Sequence, residues 1–488
     1  MKHTELYIPN WVRDKLVDPA DDAWLEKFDP HTGQVLYRFA DSSVVDAEVA
    51  VSAARETYLD WSKVTPIRRG QILAEIVARM KYHSAELAAC VQIETGKPLK
   101  DAQAEVGAAI LQGEYFAGEG MRLYAKSLTS GMPGKSSYSV RQPLGVAALI
   151  VPANTPIANI AWKVFPALIC GNTVVLKASE DAPKTANLFA EICKEGGLPT
   201  GALNVLQGIG SKVGAALVLD PRIDLISFTG STEVGRWIAE VAGRRLARVT
   251  LELGGKNPFV VCDDADLDYA THWAILSAFS NAGQRCAAGS RIIVFSNVYE
   301  EFKERMLARA NSLRLGIDEN CDLGPVINLD QQRNILGAIG RAERAGALIL
   351  CGGKPPKSPD LSDGFYIEPT LIEDRSHTCE LSYAELFGPV ATLHEASDLD
   401  QALAIANDTP YGLTSAIHTN SVDRATWFTQ QIRAGVVNVN IGTYGSEPHM
   451  PFGGFGFSGN GTREPGAEAL DVYSELKNVS FFTRLSSL

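Results

Sequence analysis

The chain has 488 residues, 45% of them hydrophobic and 21% charged, with a formal net charge of −12. That length exceeds what one hydrophobic core serves and implies at least two domains sharing an interface, while the acidic balance argues against a nucleic-acid backbone or an anionic membrane as partner. No apolar run approaches the roughly 20 residues that span a bilayer, and the amino terminus MKHTELYIPNWVRDKLVD lacks the apolar core of a secretory signal, so the expected location is the cytoplasm.

From Asp46 to about Arg122 the chain reads as successive helices; Ile72, Leu73, Ile76, Val77 and Met80 recur at helical spacing and mark a core-facing stripe. Leu123–Arg141 breaks the pattern with Gly, Pro and Ser and reads as an excursion from the first domain. Between about Val146 and Val261, the apolar runs VAALIV, TVVLK, LNVL, LISF and PFVV alternate with helical stretches such as Pro183–Cys193 and Glu233–Val241. Such alternation predicts an α/β fold with a parallel sheet covered by helices. From about Asp264 to Asn440, strands such as RIIVF and VVNVN alternate with helices Tyr299–Ser312 and Leu329–Ala345, which predicts a second α/β domain. No repeat or low-complexity segment appears.

The eight cysteines show no CxxC pair, which fits reduced thiols, and the eight histidines show no HxH or HExxH spacing. His377 and Cys379 are a lone close pair, and no metal is expected. Cys286 stands in FSNAGQRCAAGSR among small residues that leave room for a ligand at the backbone. A thiol attacks carbon only as thiolate and needs a helper, for which Glu252 in LELGGKNP is a candidate. Each residue also has a plainer reading: Cys286 as a small buried hydrophobe, Glu252 as a surface acid at a strand end, Asn154 as a turn residue before Pro156.

The ordered segments VPANTPIANIAWKVFPALICGNTVVLKASEDAP, ISFTGSTEVGR, LELGGKNP, FSNAGQRC, ELFGPV and PFGGFGFSGNG resemble the aldehyde dehydrogenase superfamily over about Val140 to Gly461. The resemblance implies two Rossmann-like domains and a small β oligomerisation arm. Residues 1–122 and 142–253 would form the NAD-binding domain, 254–455 the catalytic domain, and 123–141 with 470–488 the arm, for a homodimer or homotetramer. It implies that Cys286 adds to an aldehyde to give a thiohemiacetal, that hydride leaves to nicotinamide to give a thioester, and that Glu252 activates the hydrolytic water. The Cys286 N–H and the Asn154 amide would hold the oxyanion. CoA-acylating members generally lack the carboxylate, so Glu252 favours hydrolysis; CoA-dependent acylation and a catalytically silent relative are the alternatives.

Lys177 ends TVVLK with Glu180 three residues on, at the edge of a parallel sheet where ligands bind. By resemblance both contact the adenosine ribose, Glu180 disfavouring a 2′-phosphate, so NAD is preferred to NADP; Lys177 is counted with the catalytic residues too. An exposed Lys/Glu pair in a loop is the plainer reading. Gly208, Gly210 and Gly214 in QGIGSKVG give only a GxGxxxG spacing; Gly208 and Gly210 are assigned to a turn near the adenine, and Gly210 and Gly214 are counted with the cofactor residues. Phe228, Gly230 and Ser231 in FTGSTEVG open a helix whose amino terminus suits the pyrophosphate. Leu253, with Glu385 and Phe387 of ELFGPV, completes the cofactor set.

The implied aldehyde channel includes Thr155, Ala158, Asn159, Trp162, Arg285, Ala287, Tyr444, His449 and Phe452. Asn159 and Arg285 there suit a polar or anionic tail, unless Arg285 simply pairs with an acid. Three departures stand out: Ala153 for the family's usual tryptophan, Gly456 for the lysine of its GGxKxSG motif, and GNGTRE for the commoner GxGRE.

Overall fold

The computed structural model describes residues 6–483, so the end of the arm expected over 470–488 lies outside the described residues. Four helices, Val44–Trp61, Pro66–Tyr82, Ser84–Thr95 and Leu99–Glu119, occupy the expected helical stretch. Ile72, Leu73, Ile76, Val77 and Met80 are all buried, as their spacing predicts.

The first sheet has seven strands in the order 248–252, 225–229, 146–150, 173–177, 203–206, 10–12, 15–17. The first five run parallel. Val146–Ile150 and Thr173–Lys177 are buried along their whole length, consistent with continuous apolar runs covered on both faces. The second sheet runs 348–351, 370–373, 390–396, 291–295, 258–261, 414–418, 436–439, parallel except for its first strand.

Side-chain caps set where several helices begin: Ser231, Asp266, Asn328 and Asp398 each accept the N–H three residues on. Asn10–Val12 and Lys15–Val17 extend the first sheet antiparallel, and Trp24–Phe28 with Val35–Ala40 and Tyr7–Ile8 makes a small separate sheet. Pro258–Val261, which the alternation groups with the first domain, pairs instead with Arg291–Phe295 and Thr414–His418 in the second. The chain crosses between sheets at Gly254 and Gly255, immediately after the last strand of the first.

The excursion forms strands Ser127–Leu128 and Lys135–Pro143, and the latter pairs antiparallel with Ser474–Phe482. Among the described residues no helix is long and apolar enough to cross a membrane, and no group of three potential ligands gathers to hold a metal.

Candidate active site

Cys286 follows a short 3₁₀ turn, Ser280–Gly283, in which Asn281, Ala282 and Gly283 all have left-handed backbones, with φ of 55°, 53° and 69°. Two non-glycine residues in that region store strain that the surroundings must enforce. Gln284 does part of this, its Oε1 accepting the Ile327 N–H at 2.8 Å and its amide donating to Pro325. Asn257 does the rest: its Nδ2 donates to the carbonyls of Cys286 and Ala288 at 2.7 and 2.9 Å, and its Oδ1 accepts the Thr414 N–H. A Cβ on Gly255 would lie 2.5 Å from the Cys286 carbonyl, so only glycine lets the two segments meet there. The half-buried thiol is pushed up to about 12 by desolvation and by the carboxylates of Glu385 and Glu252.

Asn154 sits in the loop before helix Pro156–Ile169. Its Nδ2 donates to the Gln284 carbonyl at 3.0 Å and its Oδ1 accepts from Asn159 Nδ2 at 3.0 Å. One amide hydrogen therefore remains for an oxyanion. Its own carbonyl accepts from Lys97 Nζ at 2.8 Å and Asn281 Nδ2 at 3.0 Å. Lys97 is paired with Glu105 at 2.5 Å, both 4% exposed, and Glu105 also accepts the first helical N–H groups of Ile157 and Ala158. Lys97 and Glu105 escape a motif reading because they lie some fifty residues upstream and act through packing.

Glu252 ends strand Arg248–Glu252, only 4% exposed, and neither carboxylate oxygen has a hydrogen-bond partner. Burial and the nearby Glu464 push its carboxyl well above the usual range, against Lys163 and Arg463. Glu464 is held by Lys163 Nζ at 2.7 Å, Tyr473 OH at 2.8 Å and Ser227 Oγ at 3.1 Å. The segment departing from the family spelling lies against this strand: Asn460 bonds the backbone of Leu251 and Val249, and Thr462 meets Thr250 at 2.7 Å. Gly456, where the family's lysine usually stands, has φ of 60°, and a Cβ there would approach the Pro410 carbonyl to 2.5 Å.

Lys177, 2% exposed, pairs with Glu180 at 2.9 Å, and Glu180 Oε1 accepts the Gly210 N–H at 2.6 Å. Burial lowers the Lys177 ammonium. This pair, at the carboxyl edge of the first sheet beside a glycine that keeps the approach open, fits a nucleotide diol. Gly210–Gly214 forms a π turn, and a Cβ on Gly214 would meet open space, so packing demands no glycine there. Gly230 gives its N–H to the Glu252 carbonyl at 3.1 Å, which corrects the expectation that it faces an anion. Its lack of a side chain instead clears the Phe228 ring, 2.4 Å from where a Cβ would lie. The Ser231 oxygen accepts the Val234 N–H, leaving its hydroxyl hydrogen and the first turn of Thr232–Gly243 for a phosphate.

Leu253 is buried against Gly235. Glu385 Oε1 accepts the Gly255 N–H at 3.0 Å, and burial raises its carboxyl to about 7. Phe387 has φ of 54°, a left-handed conformation held by Gln331, whose amide donates to the carbonyls of Leu386 and Phe387 at 2.6 and 3.2 Å.

In the same apolar cluster as Cys286, Trp162 and Phe452 meet edge to face with ring centres 5.4 Å apart. With Ala287, Leu413 and Tyr444 they form an apolar cluster that includes Cys286. Arg285 lays its guanidinium over Tyr444, 4.8 Å from the ring centre. Both Asn159 amide hydrogens are engaged, on Asn154 Oδ1 at 3.0 Å and Thr155 Oγ1 at 3.1 Å. Asn159 therefore positions Asn154 and offers no free donor to a substrate tail, contrary to the sequence expectation.

A half-buried cysteine with a buried, unpaired carboxylate in its field, between two parallel-sheet domains, is the arrangement of a thiol-dependent α/β enzyme. Residues 16–479 match the Aldehyde dehydrogenase family, and the chain belongs to that family of oxidoreductases. It is 37% identical over 441 residues to the alpha-ketoglutaric semialdehyde dehydrogenase of Bacillus subtilis, covering 90% of each chain. It is also 37% identical over 490 residues to retinal dehydrogenase 2 of Gallus gallus, covering 98% of this chain and 92% of that one. Among solved structures, betaine aldehyde dehydrogenase of Staphylococcus aureus in complex with NAD+ superposes with a TM-score of 0.95 at 32% identity, covering 99% of this chain and 95% of that one. PnpE from Pseudomonas sp. WBC-3 gives a TM-score of 0.95 at 35% identity, covering 99% of both.

Proposed function

We propose that the chain oxidises an aldehyde to its carboxylic acid with NAD as hydride acceptor, through Cys286 and Glu252. The observation that carries this is the Glu252 carboxylate, buried with both oxygens unpaired and close enough to raise the Cys286 thiol. Its raised carboxyl makes it a strong base by carboxylate standards, suited first to the thiol proton and then to a water. The thiolate adds to the carbonyl carbon, and the resulting oxyanion is received by the Cys286 N–H and the free hydrogen of Asn154 Nδ2. Loss of hydride leaves a thioester on Cys286. Glu252, having passed the thiol proton to solvent, takes a proton from water; hydroxide adds to the thioester carbon, the C–S bond breaks as the acid leaves, and the restored thiolate takes that proton back from Glu252.

Residues 1–122 and 142–253 serve as the cofactor domain and 254–455 as the catalytic domain. Lys177 and Glu180 would hold the adenosine ribose, with Gly210 beside them; Phe228, Ser231 and Leu253 would line the middle of the dinucleotide, and Glu385 with Phe387 would hold the nicotinamide end. When bound, NAD supplies the acceptor for the hydride. A carboxylate at Glu180 would repel a 2′-phosphate on the ribose, which favours NAD over NADP. The arm, with Tyr138, Leu476, Phe481 and Phe482 exposed, serves to join copies of the chain into a homodimer or homotetramer.

The test is NADH formation from a panel of aldehydes, with and without CoA. Wild type is expected to turn over without CoA, Cys286→Ala to be inactive, and Glu252→Gln to lose on the order of 10²–10⁴ in rate. Glu252→Gln is also expected to accumulate acylated Cys286, visible by mass spectrometry. Turnover by Cys286→Ala, or product formed only with CoA, would refute the assignment.

A further inference from the structure

Arg285 is a cation without a bonded counter-ion among the described residues. Its Nε is buried with no hydrogen-bond acceptor, and no side-chain hydrogen bond or ion pair of Arg285 occurs among the described residues. The guanidinium rests on Tyr444, a residue of the apolar cluster that contains Cys286, Trp162 and Phe452. Its charge is felt by Asp101 at the start of helix Leu99–Glu119, whose carboxyl is raised by burial and drawn back first by Arg285. The two do not bridge, so Asp101 balances the charge through space without occupying the N–H donors of the guanidinium. The buried Nε–H, left without an acceptor, costs free energy until a ligand supplies one. A planar fork stacked on an aromatic ring suits a carboxylate, which takes two parallel N–H bonds. Asn159 does not compete for this role, since both its donors are engaged within the protein.

Resting on the aldehyde-oxidising function proposed above, we infer that Arg285 is the specificity-determining residue and that the aldehyde carries a carboxylate at its far end, being the semialdehyde of a dicarboxylic acid. Trp162, Phe452 and Tyr444 pack against the short carbon spacer, and Arg285 takes the carboxylate. The product is the dicarboxylate.

The experiment compares 4-oxobutanoate and 5-oxopentanoate with their methyl esters and with 4-aminobutanal, using NAD and wild type, Arg285→Gln and Arg285→Lys. The expected kcat/KM of wild type favours each carboxylate over its ester by about 10- to 100-fold, the size of one charge-assisted contact. That ratio is expected to collapse in Arg285→Gln, mainly through KM, and to survive in part in Arg285→Lys. Equal rates for acid and ester in wild type, preference for the ammonium tail, or an unchanged ratio in Arg285→Gln would each overturn the inference. So would a loss equal for all tails with a displaced pH profile, which would mean that Arg285 acts only on the thiol. A second readout needs no turnover: glutarate, but not its dimethyl ester, is expected to slow carbamidomethylation of Cys286 in wild type and not in Arg285→Gln. If no aldehyde is oxidised, the underlying function fails, and this protection still decides whether Arg285 binds a carboxylate.

Discussion

Glu385 is where the chemistry of single residues makes the site sensitive to pH. Its carboxyl is raised to about 7 by burial, against the Gly255 N–H and Lys256, which favour the charged form. A raised carboxyl loses its charge as pH falls through that value, so the form that accepts hydroxyl donors best is present above about 7 and lost below it. If Glu385 grips a ribose, KM for NAD is expected to rise on the order of tenfold per pH unit below 7 and to level off above it. Glu385→Gln is expected to show a raised KM without that dependence between pH 6 and 8, measured by initial rates at saturating aldehyde. Lys256, lowered to about 7 by burial and by Arg291, loses charge over the same window as pH rises, so a profile with a second inflection would report it.

Between elements, the Gly254–Gly255 crossing serves two sites with one turn. A Cβ on Gly254 would fall 2.0 Å from Glu385 Oε2, whereas one on Gly255 would fall 2.5 Å from the Cys286 carbonyl. The first clash is with the end of a side chain and the second with backbone. Gly254→Ala is therefore expected to raise KM for NAD with a modest effect on kcat, and Gly255→Ala to lower kcat on the order of 10²-fold by displacing the nucleophile. Steady-state kinetics of the two variants separate the effects. Much of this is legible in the sequence: RIIVF and TVVLK declare themselves as unbroken apolar runs buried along their whole length, and the stripe around Ile76 by its helical period. Asn10–Val12 and Lys15–Val17 do not, because three residues carry no period and the strands exist only by pairing with Leu203–Leu206 and with each other. The site divides in the same way. Cys286, Glu252 and Asn154 are marked by motifs, and Asn257 and Gln284 lie in the same motifs, but the contacts by which these two steady the Cys286 loop, Lys97 steadies Asn154 and Gln331 steadies Phe387 join distant segments. Gly230 and Asn159 misled because residue type predicts a donor without saying whether that donor is already used.

Across the whole molecule, the two sheets are tied near the cofactor edge as well as at the crossing. Asn328, the cap of helix Leu329–Arg344, donates to Asp181 at 2.9 Å, one residue beyond Glu180, while Gln331 on its first turn holds the loop of Phe387. One helix end thus reaches both expected ends of the dinucleotide. Farther out, nine register pairs join Lys135–Pro143 to Ser474–Phe482, and Phe481 stacks on Tyr138 with ring centres 5.8 Å apart. Leu476 and Phe481, both exposed, lie an odd number of residues apart and so stand on opposite faces of the strand Ser474–Phe482, so that Leu476→Asp with Phe481→Asp places charge on each face. If copies join through the arm, as proposed, the variant is expected to run as a smaller species in size-exclusion chromatography with light scattering. An unchanged mass would exclude the arm from the interface.

The high proton affinity of the resting Cys286 has a consequence for survival under oxidative stress. Peroxides attack thiolate, and a thiol pushed up to about 12 is almost entirely protonated at neutral pH. An idle molecule therefore presents its sulfur in the form that is slow to oxidise; on the mechanism proposed above, the thiolate forms only during turnover, once Glu252 takes the proton and an aldehyde is already at hand.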